Sequence, residues 1–185
     1  MHTTVAGELL DIVSQTQGAQ SVDTERVARL KTATYTCTVP LLSGAVLAGA
    51  GAAERRALEA FGDPVGIAFQ LVDDLLGVFG DPGVTGKSVL SDLREGKRTH
   101  LLAITYRRAD GRDRELLDRL VGDPDLDETG AEQVRGLMVR HGAVDAVRDR
   151  VDELVRRALD ATDALPPALR DELTSLTHRL TERAA

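Results

Sequence analysis

Residues 66–80, GIAFQLVDDLLGVFG, carry two adjacent acids, Asp73 and Asp74, through an otherwise apolar helical run. Carboxylates set among Phe69, Leu71, Val72, Leu75, Leu76, Val78 and Phe79 are costly to bury unless positive charge lies against them. A metal or a cationic partner is therefore expected beside them. Gln70 precedes the two acids by three and four positions, so on a helix all three project toward one site. The stretch is either a face for phosphate and metal or the face of a buried ion pair.

Outward from this stretch, long periodic segments alternate with short clusters of glycine and proline. The chain has 185 residues, 42% of them hydrophobic and 3% aromatic, with leucine, alanine and valine dominant. That composition and length predict an all-α protein with one core, a single helical domain over residues 1–185. A formal charge of −7 and the scarcity of stacking rings argue against nucleic-acid binding. The single Cys37 has no partner for an intrachain disulfide and no companion cysteine for a metal, which points to a reducing compartment, by default the cytoplasm. Met1 reads as a start, no signal peptide follows it, and no apolar run reaches the length of a membrane span.

Read in order, a short helix is expected over Thr4–Gln17, with Val5, Leu9, Leu10, Ile12 and Val13 forming its apolar stripe and Glu8 and Asp11 beside it. After a turn at Gln17–Gln20, Ser21 is expected to cap a helix running from Val22 to Thr36. Pro40 should open a small-residue helix, LLSGAVLAGA, that admits a close neighbour. Ala52–Gly80 is the long central element, bent at Gly62 and Pro64, and Asp81–Ser91 is a mobile loop carrying Lys87. Helices are predicted over Thr99–Arg108, Asp113–Leu120, Glu128–Arg140 and Ala143–Leu165, the last stopped by Pro166 and Pro167. A final amphipathic helix runs to about Thr181.

Only three of the 23 basic residues are lysines, at positions 31, 87 and 97. Lysine is a compact point charge on a flexible stem, suited to outer phosphate oxygens. Taken with Gln70, Asp73 and Asp74, the three lysines describe a diphosphate site. The two acids can hold Mg²⁺, a hard ion that takes a few carboxylates and completes its octahedron with water and phosphate oxygens. His2, His100, His141 and His178 lack metal-ligand spacing, and His100 reads as a residue at a helix start. No Ser/His/Asp arrangement or glycine-rich nucleotide loop is present.

Three ordered motifs now resemble the trans-type isoprenyl diphosphate synthases. They are KTATYT at residues 31–36, GIAFQLVDDLL at 66–76, and GKSVLSDLREGKRT at 86–99. The resemblance implies an α-helical fold around a central cavity, and a reaction joining isopentenyl diphosphate to an allylic diphosphate with Mg²⁺. It implies Asp73 and Asp74 as metal ligands of the second aspartate-rich motif, and Lys31, Lys87 and Lys97 as diphosphate-binding residues. Thr32 and Gln70 match residues that face the developing carbocation, and Asp92 matches an aspartate that supports the metal site.

The sequence departs from the family in several places. The third acid of DDxxD is Gly77, with Asp81 one turn further on; a glycine between Lys87 and Asp92 is Leu90; and Glu8 stands where glutamine is usual. No first aspartate-rich motif precedes Asp73, so the resemblance covers only the C-terminal half to two-thirds of the family's fold. The expectation is a subunit of a split or heterodimeric prenyltransferase, completed by a partner chain that brings the first aspartate motif. The alternative is a non-catalytic subunit that stabilises or tunes a complete synthase. A helical scaffold in which Asp73 and Asp74 merely pair with arginines is the blandest reading, and the three coordinated motifs speak against it.

Overall fold

A computed structural model describes residues 2–16, 23–85 and 88–182. Every regular element among them is helical. The order is α1 (His2–Thr16), α2 (Thr24–Ala28), a π-helix (Arg29–Thr38), α3 (Val39–Leu47), α4 (Ala52–Phe79), α5 (Pro82–Thr85), α6 (Ser91–Arg94), α7 (His100–Arg108), α8 (Gly111–Leu120), α9 (Glu128–Arg140), α10 (Ala143–Asp160) and α11 (Pro167–Thr181).

The all-α expectation is met, and α4 is the element on which the others pack, chiefly the π-helix and α10. Its C-terminal half, including Leu71, Leu75 and Val78, meets α7, α9 and α10 in one core cluster. Its N-terminal half contributes Leu58, Phe61 and Val65 to a second cluster with Cys37, Leu165 and Leu173. The helix continues through Gly62 and Pro64, although Pro64 has no N–H to donate to the preceding turn. Packing on both neighbours holds the helical path at that point. On α10 the core side is Val147, Val151, Leu154 and Ala158, with Val144, Val155 and Leu159 half-buried.

Helix starts follow polar caps. Thr99, Asp110 and Asp127 each accept a backbone N–H from the first turn of α7, α8 and α9, at 3.2, 3.0 and 2.8 Å. Asp23, rather than Ser21, caps α2, accepting from the Arg26 N–H at 3.0 Å. Ser21 and the Gln17–Gln20 turn lie outside the described residues. α10 stops at Asp160, short of Leu165, and Pro167 opens the next helix at a first-turn position where its missing N–H costs nothing.

Two larger departures shape the site. Thr24–Leu47 is helical without a break and its middle is π-helical; Pro40 stands in the first turn of α3, as expected, but that helix follows directly on the π-helix. The π-helix is pressed onto α4 at Gly66, where an added Cβ would come within 2.4 Å of the Ala33 Cα. The second departure is α1, whose expected apolar stripe points outward except at the half-buried Leu10. Val5, Leu9 and Ile12 are more than half exposed and Val13 is 40% exposed, while Gly7 and Asp11 are buried. Gly7 lies so close to the backbone of Leu30 and Lys31 that only its lack of a side chain permits the contact. An ion pair between Asp11 and Lys31 fixes the rotation of α1 against that contact. Charge complementarity and backbone proximity thus decide which side of this helix turns inward.

Candidate functional site

α4 and the π-helix bring Gln70, Asp73 and Asp74 opposite Lys31 and Thr32, around a polar cavity of about 230 Å³. Lys97, Thr99 and His100, from the turn into α7, close one side, and Asp11 of α1 and Thr24 of α2 lie at another. The rarity of π-helical turns and their frequent place at functional sites make the position of Lys31 and Thr32 informative.

The side chains form one connected row. Thr32 Oγ1 donates to Gln70 Oε1 at 2.6 Å, and Gln70 Nε2 donates to Asp74 Oδ1 at 2.9 Å. Lys97 Nζ lies 3.7 Å from that same Asp74 oxygen and donates to Asp92 Oδ2 at 3.2 Å. Lys31 Nζ donates to Asp11 Oδ2 at 2.6 Å and sits 3.3 Å from Glu8 Oε2. The counter-charge of Asp74 is therefore Lys97, not an arginine.

Burial pushes the Asp74 carboxyl up to about 6; the Lys97 charge and the Gln70 amide pull it down without cancelling that effect, and Asp92 and Asp73 raise it further. Lys97 responds in the opposite sense. Burial alone would lower its pKa, but Asp74, Asp92 and Asp73 outweigh burial and raise it. Lys31 is likewise raised, because Asp11 and Glu8 overcome desolvation. Both ammonium groups are fully charged near neutral pH.

Each departure in the aspartate motif has a structural counterpart. An added Cβ on Gly77 would lie 2.6 Å from Asp92 Oδ2, so the Asp92 carboxylate occupies the space beside α4 that a side chain at position 77 would claim. Asp81 does not substitute for the missing acid. It is exposed and accepts the Gly83 N–H at 2.8 Å in the loop beyond α4. Leu90 adopts φ −94°, a conformation open to any residue, and packs against the main core cluster. Lys87 falls outside the described residues. Among the described residues no three His, Cys, Asp or Glu side chains converge on a metal-sized site, so the aspartate pair has to be considered as a two-carboxylate donor set.

The structure adds residues that the motif pattern does not single out. Asp11 is buried against Lys31, and His100 faces the cavity with its Nδ1 2.6 Å from Thr24 Oγ1. Burial holds the His100 ring below its usual pKa and so neutral near pH 7. Asp11 was discoverable by the argument applied to Asp73 and Asp74, as an acid embedded in an apolar helix. His100 carried no such signal. Beneath both, α2 is tied to α10 by Arg150, which donates to Glu25 through two nitrogens at 2.7 and 2.8 Å and to Glu153 at 2.6 Å.

A second, apolar cavity of about 760 Å³ is lined by Thr36, Cys37, Leu41, Ala45, Phe61, Val65 and Phe69, with Leu169, Leu176 and Leu180 of α11 across it. Phe69 adjoins Gln70 in α4, and Thr36 lies about one turn beyond Thr32, so the polar and apolar spaces flank the same two helices. Burial raises the Cys37 thiol to about 11, which makes it an apolar wall residue and not a nucleophile.

The polyprenyl synthetase family pattern matches residues 1–138. Among known proteins, a geranylfarnesyl diphosphate synthase from Aeropyrum pernix is 38% identical over 161 residues, 86% of this chain and 49% of that protein. A geranylgeranyl diphosphate synthase from Mycobacterium tuberculosis is 34% identical over 180 residues, 96% of this chain and 50% of that protein. The crystal structure of geranylgeranyl pyrophosphate synthase from Corynebacterium glutamicum, complexed with isoprenyl diphosphate and magnesium, superposes with a TM-score of 0.92 at 38% identity. That match covers 98% of this chain and 52% of the other. The chain thus spans about half the length of the curated relatives it matches.

Proposed function

The chain belongs to the polyprenyl synthetase family, and from that premise we propose that it forms the second-aspartate-motif half of a trans-prenyltransferase that joins isopentenyl diphosphate to an allylic diphosphate. The observation that carries this reading is the connected row Thr32, Gln70, Asp74, Lys97 and Asp92, set beside an apolar groove on the same two helices. A charged head group and a hydrocarbon tail need those two environments side by side.

In this reading Lys31 and Lys97, with Lys87 from the loop, contact diphosphate oxygens as point charges. The Gln70 amide is oriented by its bond to Asp74, which turns its Oε1 toward Thr32. The remaining lone pairs on the Thr32 and Gln70 oxygens then face the carbon on which positive charge develops. Apolar walls at Phe69 and Val65 keep water from that carbon.

Asp73 and Asp74 would hold Mg²⁺. The donor set fits, because Mg²⁺ commonly takes one or two carboxylates with water and phosphate oxygens, and because the charge on Asp74 is incompletely offset by Lys97 alone. When bound, the ion draws negative charge from the departing diphosphate. The first aspartate-rich motif comes in this reading from a second chain, which would meet the outward apolar stripe of α1. Among the described residues no helix is long and apolar enough to cross a membrane.

The test is co-purification with a chain that carries an aspartate-rich motif, followed by an elongation assay with Mg²⁺, isopentenyl diphosphate and an allylic diphosphate. Asp73→Ala is expected to lower turnover of the complex on the order of a hundredfold or more, with an unchanged melting temperature. Activity that survives Asp73→Ala would instead make the chain a non-catalytic subunit that tunes a complete synthase.

A further inference from the structure

Lys31 is held at the cavity by two acids of unequal burial. Its ammonium group has three N–H bonds. One goes to Asp11 Oδ2 at 2.6 Å, and Glu8 Oε2 lies against the group at 3.3 Å. The two acids have different standing. Asp11 is buried, where a carboxylate is costly to hold without a positive partner. Glu8 has 54% of its side chain exposed, so water can solvate its carboxylate without Lys31. Asp11 already sets one carboxylate against Lys31, and Glu8 brings a second to the same ammonium group, at the edge of a cavity proposed to receive an anion.

We propose that Glu8 competes with diphosphate for the Lys31 ammonium group and so weakens the hold of the site on diphosphate, favouring its release after the allylic bond has broken. Glu8 acts through Lys31 and is a positioning residue. While Glu8 is in place, Lys31 has one N–H bond left for a phosphate oxygen. Without its charge, a glutamine oxygen there accepts from Lys31 only weakly and yields the N–H to a phosphate oxygen, and the incoming anion no longer meets a carboxylate beside its binding partner. Gly7, one residue before Glu8, packs directly on the Lys31 backbone, so the Glu8 side chain is delivered to this position by a close contact between α1 and the π-helix.

This inference rests on the diphosphate reading of the cavity, and its test separates the two. Binding of inorganic pyrophosphate is measured calorimetrically, with and without Mg²⁺, for the unmodified chain and for Glu8→Gln, each alone and in its complex. Glu8→Gln is expected to bind about fivefold more tightly at low salt, an advantage that fades near 1 M salt as the charge is screened. In the assembled complex the same substitution should lower KM and kcat together, since tighter diphosphate leaves more slowly. If Glu8 merely anchored α1, its removal would leave binding unchanged or weaken it. Equal or weaker binding by Glu8→Gln, with pyrophosphate bound by the unmodified chain, overturns the role of Glu8 and leaves the site intact. Absence of pyrophosphate binding by the unmodified chain, alone and in complex, overturns both.

Discussion

Asp74→Asn is expected to make the metal-free protein more stable while abolishing its function. The carboxyl of Asp74 is raised from 3.8 to about 6, first by burial, with Lys97 and Gln70 opposing. A carboxyl whose folded pKa lies above its unfolded value favours the folded state in its protonated form. Its contribution is fully present below the unfolded value and is lost as pH rises through about 6, so at neutral pH the charged form costs the fold up to about 3 kcal/mol. Asparagine resembles the protonated acid in shape, can still accept from Gln70, and leaves Lys97 paired with Asp92.

Thermal unfolding in the presence of a chelator should therefore show Asp74→Asn more stable by about 1–3 kcal/mol near pH 7, with the difference closing near pH 4. Mg²⁺ should then stabilise the unmodified chain and leave the variant unmoved. Turnover of the proposed two-chain complex is expected to fall on the order of a hundredfold or more. A variant less stable than the parent at both pH values would show that the Asp74 charge is fully compensated within the fold. The opposition of stability and activity at one carboxylate would be the energetic signature of a site built to receive a cation.

The second large effect is expected at Gly66, where α4 and the π-helix are in close contact. A Cβ there would lie 2.4 Å from the Ala33 Cα and 2.6 Å from its Cβ, distances that no side-chain adjustment relieves because one contact is backbone. Gly66→Ala must separate the two helices, at a cost of about 3 kcal/mol. The separation would also stretch the bond from Thr32 to Gln70, one turn further along the same contact. Urea unfolding and pyrophosphate binding should both deteriorate. Gly136→Ala is the matched control. Its Cβ would meet nothing within 4 Å on the exposed side of α9, and the higher helix propensity of alanine should stabilise by about 0.5–1 kcal/mol. Equal effects at the two glycines would mean that the close approach at Gly66 has no energetic weight.

Much of the fold was legible because local signals and burial agreed. The periodicity of α10 matched its buried side at Val147, Val151 and Leu154, and the capping residues of α7, α8 and α9 marked their starts within a few positions. The cavity residues Lys31, Thr32, Gln70, Asp73, Asp74 and Lys97 were named from three motifs and converge on one polar space. Where signals of equal strength competed, the linear pattern misled. α1 has a respectable apolar stripe, yet the stripe faces outward because Asp11 must reach Lys31 and Gly7 must sit on its backbone.

By itself the sequence determined the helical class, the central role of residues 52–79, and the set of charged groups from which the proposed diphosphate site is built, since these depend on residue type and on spacing along one helix. Only the tertiary structure decided that the π-helix presents Lys31 and Thr32 to the cavity, that Asp92 fills the space beside Gly77, that His100 joins the site wall, and that Glu8 shares the Lys31 ammonium group. Each of those depends on how closely two backbones approach. That distance is set by packing between segments far apart in the chain, and no residue records it alone.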